Sequence, residues 1–488
     1  MTDVRDGDLG TTAARAVAWN YASFAAGRLL VLVTMAILAR LLTPEDFGIV
    51  GFATLAVGYL SVLRDLGLGA AVIQRRDDTE ESAQTVFVLN LIIGFALTGI
   101  TFVLAPFVAH FFREPVVTPL LRLLSTTFIL ESIGSIHVVL LKRNLAFRRK
   151  IVPDVGRAAV KGAVSIITAL AGAGAWALVF GQLAGVIAGV LLAWVVMPWR
   201  PRFQIHRRLI RPLMGFGGPL VLTDLQYALW TNLDYIVVGR MLGDVALGVY
   251  TLAYRLPELL IQSVWRVLAQ AIFPFFSSIQ DDAEKLRRAF LATIRYTQTF
   301  VVPLSLGLLI TAEPAVHVLF GEQWYAAIPV LQVLAVFSLI GSIGVNAGDV
   351  YKALGRPDVL VKLSAIELTM LIPALVYGAR WGLMGVAWAH AAVAIVDSSV
   401  RLVVASRMVG FDLGDVWRQL RPSAISGAWL AAATLGAGAL LSGLGPVTRL
   451  LGMAAAGGTA YALALWHYDS EAVRRVLGWI GLRRERAA

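Results

Sequence analysis

Cysteine is absent from this 488-residue chain. That excludes disulfides, iron–sulfur clusters and thiolate zinc sites. Its six histidines form no cluster, so neither a metal site nor another cofactor is expected. Charge is scarce as well: 15% of the residues are charged, against about 25% in soluble domains. Residues 82–112, 162–199 and 422–448 contain no Asp, Glu, Lys or Arg. The period-two alternation of barrel strands is missing, which excludes a transmembrane β-barrel. No outward loop exceeds about fifteen residues. A membrane enzyme such as a glycan polymerase or ligase, which needs a large catalytic loop, is therefore disfavoured.

What remains is apolar. Hydrophobic residues make up 58% of the chain, and a membrane-crossing helix takes about 20 of them. The expected fold is an all-α polytopic membrane protein of about 14 transmembrane helices. The segments run roughly 17–39, 47–70, 84–111, 117–141, 153–172, 176–198, 213–240, 246–275, 289–312, 326–351, 359–379, 382–408, 421–443 and 447–467. The first reads as a retained helix rather than a cleaved signal peptide, because acids precede it and no small-residue cleavage site follows. Residues 1–16 form a cytoplasmic N-terminal segment, 17–200 a first lobe and 201–212 a basic linker. Residues 213–410 form a second lobe, 411–468 two further helices and 469–488 a basic tail.

Lys plus Arg number 42 against 31 Asp plus Glu, a net charge of +11. These cations sit in short loops between apolar runs, so they read as topology signals and headgroup contacts rather than a nucleic-acid surface. Odd-numbered connections hold at most one basic residue each, among them Arg40, Arg113, Arg240, Arg380 and Arg449. Even-numbered connections hold clusters such as Arg148-Arg149-Lys150 and Lys285 with Arg287-Arg288. Positive charge stays inside, which places both termini in the cytoplasm.

The chain is organised around Ala39–Asp78, where the polar turn Thr43-Pro44-Glu45-Asp46 joins two apolar helices. Its pattern returns 200 positions later: Ala39-Arg40-Leu41-Leu42 against Gly239-Arg240-Met241-Leu242, and Gly48-Ile49-Val50 against Gly248-Val249-Tyr250. Pro106 matches Pro314, Pro119-Leu120-Leu121 matches Pro329-Val330-Leu331, and Ser132-Ile133-Gly134 matches Ser342-Ile343-Gly344. Each repeat spans six segments, an even number, so two six-helix lobes related by an axis along the membrane normal are expected.

Several segments carry polar residues at helical spacing, which lipid cannot satisfy. The first has Asn20, Ser23, Arg28 and Thr34; the fifth has Asp154, Arg157, Lys161, Ser165 and Thr168. The seventh has Thr223, Tyr227, Trp230 and Asp234; the eighth has Arg255, Glu258, Gln262 and Arg266. Arg28 and Arg255 lie well inside their apolar runs, and a guanidinium in a wet cavity suits phosphate. The bland alternative is that each forms a buried ion pair, with Glu258 or Asp234 as partner. Lys161 either lines a cavity or snorkels. Asp397 and Arg401, spaced i, i+4, are expected to pair. Glu131 and Glu367 read as lone intramembrane acids, either ion sites or structural groups. Arg64-Asp65, at the cytoplasmic end of the second segment, is either a gate or a helix-end lock.

The stretches ARLLTPEDFGIV, DLGLGAAVIQRRD, LDYIVVGRMLGDVALGVYTLAYRLPELL and FPFFSSIQDD resemble the Wzx-type polysaccharide repeat-unit flippases, the colanic-acid and teichuronic-acid exporter branch of the multidrug/oligosaccharidyl-lipid/polysaccharide exporter superfamily. The resemblance implies two lobes, two extra C-terminal helices and a central cationic cavity. It also implies an undecaprenyl-diphosphate-linked oligosaccharide as substrate, flipped by alternating access in the bacterial cytoplasmic membrane. Membrane lipids, a polysaccharide polymerase and glycosyltransferases are the implied partners; nucleic acid is not. The lipid II flippases of the superfamily use arginines in helices 1, 2 and 8, which Arg28 and Arg255 match by helix number. The substrate-binding set expected is Arg28, Lys161, Asp234, Arg255, Glu258, Gln262 and Arg266, with Arg64 and Asp65 at a gate. The alternative is a cation-coupled multidrug exporter of the same superfamily, favoured by the acids and opposed by the arginines.

Overall fold

A computed structural model describes residues 27–75, 77–471, 473 and 474. Those residues are helical or lie in turns and short connections, with no strand among them. By contact the chain divides into two units, Met1–Gly248 and Val249–Ala488.

In the first unit, α1 (27–41) leads through the predicted polar turn into α2 (Pro44–Asp65). The turn residues fix where α2 begins. Thr43 Oγ1 accepts the Asp46 amide at 3.2 Å, and the Asp46 carboxylate accepts the Thr43 amide at 3.0 Å. Pro44 fills the first helical position, where a missing N–H costs nothing. Two successive left-handed residues, Leu66 (φ 43°) and Gly67 (φ 68°), stop α2. A short α3 (Leu68–Gln74) follows, then the hairpin of α4 (Thr79–Phe112) and α5 (Val117–Arg143). α4 is 34 residues long, about 50 Å at 1.5 Å per residue, more than the ~30 Å hydrocarbon core.

A second hairpin, α6 (Phe147–Leu170) with α7 (Ala175–Val196), closes on a seam of small residues. A Cβ at Gly185 would stand 2.8 Å from Lys161 Cβ, so α7 approaches α6 as small-residue faces allow in membranes. The connection after α7 is tied to the start of α4: the Arg202 amide donates to Gln84 Oε1 at 2.6 Å and the His206 amide to Thr85 Oγ1 at 3.0 Å. Leu209 and Leu213, at the start of α8 (Arg207–Leu242), join Leu68, Val86, Phe87, Ile136 and Trp199 in one buried core.

The helix α9 (Asp244–Pro257) crosses the division between the units. The second unit continues through a π-helical turn, Glu258–Gln262, into α10 (Ser263–Ser278). Then come α11 (Ala283–Leu319), α12 (Ala327–Gly344), a short α13 (Ala347–Ala353), and the pairs α14 (Pro357–Gly378) with α15 (Gly382–Val409) and α16 (Leu413–Leu440) with α17 (Pro446–Tyr468). Asp282 caps α11 by accepting the Lys285 amide at 3.0 Å. The break between α12 and α13 is held against α11: Asn346 donates to Thr297 Oγ1 at 3.0 Å, and Gln298 to Ser342 Oγ at 2.6 Å. The last pair is anchored on the same helix, with Tyr461 donating to the Thr299 carbonyl at 2.9 Å and Arg295 Nε to Asp469 at 2.6 Å.

Among the described residues, the apolar runs coincide with one helix or with consecutive helices. Eight helical stretches among the described residues are long and apolar enough to cross a membrane by themselves. Large apolar side chains such as Phe95, Phe107, Val195 and Leu440 are exposed on them, as a lipid-facing surface requires. The protein is an all-α polytopic membrane protein.

Candidate functional site

The expected residues fall into local groups within each unit. In the first unit, Arg28 stands half-buried in the first described turn of α1. Asp234, on α8, is 2% exposed, and its Oδ1 accepts the following amide of Tyr235 at 2.9 Å. Lys161 on α6 donates to Gln182 Oε1 on α7 at 2.7 Å. Arg64, at the end of α2, forms an ion pair with Glu131 on α5. The side chain of Asp65 lies outside the described residues.

Glu131 is not a lone acid. Its other oxygen accepts Arg157 Nη2 from α6 at 2.7 Å. Three helices, α2, α5 and α6, thus meet at one carboxylate between two guanidinium groups. One carboxylate therefore holds two guanidinium groups from different helices. Burying such a charge is expensive unless it is partnered or wet, and the Arg157 side chain is 41% exposed.

In the second unit, Arg255 sits in the last turn of α9, just before the π turn. Its Nη1 donates to Glu258 Oε2 at 2.8 Å. Both side chains are partly accessible, at 32% and 25%. One turn on, Gln262 donates to the Tyr254 hydroxyl at 3.0 Å. Glu258 and Gln262 bound the π turn, a local widening of the helix that recurs at functional sites. The side chain of Arg266 lies outside the described residues.

A second acid read as lone is also paired. Glu367 on α14 accepts Arg401 Nη2 from α15 at 2.8 Å, while Arg401 Nε donates to Asp397 at 2.6 Å. The expected Asp397–Arg401 pair is present, and Glu367 makes it a triad with side chains 9–17% exposed. This group is closed, with little solvent access to any of its three side chains. Arg255 is different: one of its five donors is used, the side chain is a third exposed, and further protein hydrogen bonds are absent among the described residues.

Residues 37–329 match the family described as polysaccharide biosynthesis protein. The chain belongs to that family. It is 27% identical over 398 residues to the lipopolysaccharide biosynthesis protein WzxC of Escherichia coli (strain K12), covering 80% of this chain and 79% of WzxC. It is 26% identical over 382 residues to the teichuronic acid biosynthesis protein TuaB of Bacillus subtilis (strain 168), covering 78% and 79%. Among solved structures it is similar to the lipid II flippase MurJ in an inward closed conformation, with a TM-score of 0.74 at 14% identity over 93% of this chain and 99% of that one. At that identity the match speaks for the fold. The family membership agrees with the resemblance carried by Ala39–Asp78.

Proposed function

We propose that this protein flips undecaprenyl-diphosphate-linked oligosaccharide repeat units across the bacterial cytoplasmic membrane, for synthesis of a cell-surface polysaccharide. It works as a transporter, by alternating access through a cationic cavity, and makes or breaks no covalent bond. Family membership and relatives named for lipopolysaccharide and teichuronic acid biosynthesis support the pathway class. The lipid II flippase fold supports the mode of transport.

The observation that carries the reading is Arg255. A diphosphate and a hydrophilic glycan cannot enter hydrocarbon, and fixed positive charge in a wet cleft lowers that barrier. Arg255 offers donors suited to a phosphate. Glu258 holds it in place from one side only. The adjoining π turn and Pro257 interrupt the regular backbone ladder and permit α9 and α10 to bend. The proposed substrate-binding residues also include Arg28, Lys161 and Asp234 in the first unit and Glu258, Gln262 and Arg266 in the second, with Arg64 and Asp65 proposed as a gate. The charge bias of the loops puts both termini in the cytoplasm. A polymerase and glycosyltransferases are its functional partners.

The test is Arg255→Ala. Glycan export is expected to cease while the protein remains folded in the membrane; unchanged export would remove Arg255 from the mechanism. The buried acid Asp234 favours a second reading, a cation-coupled multidrug exporter. Drug-sensitivity profiling of a deletion strain separates the two. Broad hypersensitivity supports the second reading, and loss of surface polysaccharide supports the first.

A further inference from the structure

Two arginines that the argument above does not use share a cavity at the other end of the first unit, away from the basic loops. We propose that this cavity binds the phosphate of a lipid, as a site separate from Arg255. It measures about 890 Å3 and surrounds the turn between α4 and α5. His110, Arg113 and Thr118 line it from that turn, and Arg240 from the C-terminal end of α8. Pro106 and Phe111 form part of its apolar wall.

Arg113 caps α4 in the left-handed region (φ 65°), its amide bonded to the Ala109 and His110 carbonyls. The Arg240 guanidinium lies over the Phe111 ring, 5.5 Å from its centroid. Neither arginine has a carboxylate within ion-pair distance among the described residues. The acids of the neighbourhood, Glu45, Glu114 and Asp244, act on one another, and none of them lines the cavity. Two guanidinium groups outside ion-pair distance of any described carboxylate, with an imidazole in the same concavity, favour an anion, and planar forked donors favour phosphate oxygens. A free ion has no use for the apolar wall, where Phe107 and Phe111 are 67% and 46% exposed. A phosphate carried on a hydrocarbon chain uses both surfaces.

The second repeat supplies an internal control. Pro314 there stands at the place of Pro106, with His317 one position short of the place of His110, and both line a cavity. That one is only about 220 Å3. His317 Nδ1 is 2.5 Å from the Tyr325 hydroxyl, and the turn from Ser442 to Arg449, joining α16 and α17, covers it. The same corner of the repeat is narrow in the second unit, where Glu313 shares the lining with Arg449, and wide in the first, where two arginines line it and no acid does. On the loop-charge orientation the open cavity faces the outer leaflet. It would then receive the lipid phosphate after translocation, a role that rests on the proposed function; the binding does not.

The experiment uses the full-length protein in nanodiscs and measures lipid binding by native mass spectrometry. Undecaprenyl phosphate, phosphatidylglycerol and inorganic phosphate are the probes. Arg113→Gln/Arg240→Gln is expected to weaken binding of a phosphate-bearing lipid about tenfold. Arg113→Lys/Arg240→Lys keeps the charge, and its retained binding shows that the loss is not misfolding. The tighter of the two lipids identifies the source. Unchanged lipid binding in the glutamine variant overturns the proposal, as does inorganic phosphate competing as well as lipid. Binding that needs the two arginines in a protein that exports no glycan would leave this site standing and remove the transport reading alone.

Discussion

Gly248 lies against Gly48. A Cβ on Gly248 would stand 3.2 Å from the Gly48 amide nitrogen and would collide with the Pro44 carbonyl; one on Gly48 would collide with the Asp244 carbonyl. These are equivalent positions of the internal repeat, 200 residues apart, so the first turns of α2 and α9 meet backbone to backbone. Only residues without a side chain permit that approach. Gly48→Val or Gly248→Val should separate the two turns and lower stability by about 1–3 kcal/mol, the usual cost of forced overpacking. Gly58 and Gly99, also helical, have nothing within 4 Å of a built Cβ. Alanine there should be neutral or slightly stabilising. Thermal unfolding midpoints of the four variants in detergent decide; equal shifts at all four would refute the close-contact argument.

The same junction responds to pH. Desolvation, and then the charges of Asp244 and Glu45, push the Glu114 carboxyl above its ordinary range. A raised carboxyl binds its proton more tightly when folded, so the stability it contributes grows as pH falls and is lost as pH rises through its folded value. Amides of residues 44–52 and 244–248 should therefore gain hydrogen-exchange protection, after correction for intrinsic rates, between pH 7 and pH 4.5. Glu114→Gln should abolish that gain. A pH response that persists in the variant assigns it to another group.

Two arginines on interrupted or paired helices should behave in opposite ways. Arg401 satisfies both Glu367 and Asp397. Removing it leaves two carboxylates together with little solvent, and losing one member of a buried ion group typically costs about 3–5 kcal/mol. Arg401→Ala should fail to accumulate as folded protein. Arg255→Ala removes one partly exposed pair and should accumulate normally while export stops. Fluorescence-detected size exclusion of the two variants, beside an export assay, tests the contrast. Normal accumulation of Arg401→Ala would show that its triad is not structural.

Helix positions were legible because a membrane helix announces itself in local composition: among the described residues the apolar runs are helical. The internal repeat was legible in the same way, from Gly48 and Gly248 in matching words. Interruptions were harder to read. Leu66 and Gly67 break α2 from α3, yet the surrounding run stays apolar. Partners of buried charges were legible only when they shared a helix, as Asp397 and Arg401 do. Glu131 and Glu367 looked solitary because their arginines come from other helices, and such pairing depends on helix rotation and packing rather than on spacing. The cavity of Arg113 and Arg240 was invisible for the same reason: each is a single loop cation in sequence, and the fold brings them together.

Glu131 offers the sharpest test of whether the polar face of the first unit is a lock or a site. As a lock, it bridges Arg64 and Arg157 and so joins α2, α5 and α6. Glu131→Gln keeps shape and some hydrogen bonding but removes the shared negative charge. Charge-assisted hydrogen bonds contribute about 1.5–3 kcal/mol each when well shielded, and these side chains are 19–41% exposed, so a loss of about 1–2 kcal/mol is expected. If Arg64 and Arg157 serve only the lock, Arg157→Gln should restore stability to Glu131→Gln by removing the excess cation, and export should return with it. If Arg157 also contacts the diphosphate, the double variant should regain its unfolding midpoint but not its export. Measuring both quantities on the single and double variants separates these roles, and a double variant that recovers neither would mean the three charges act independently.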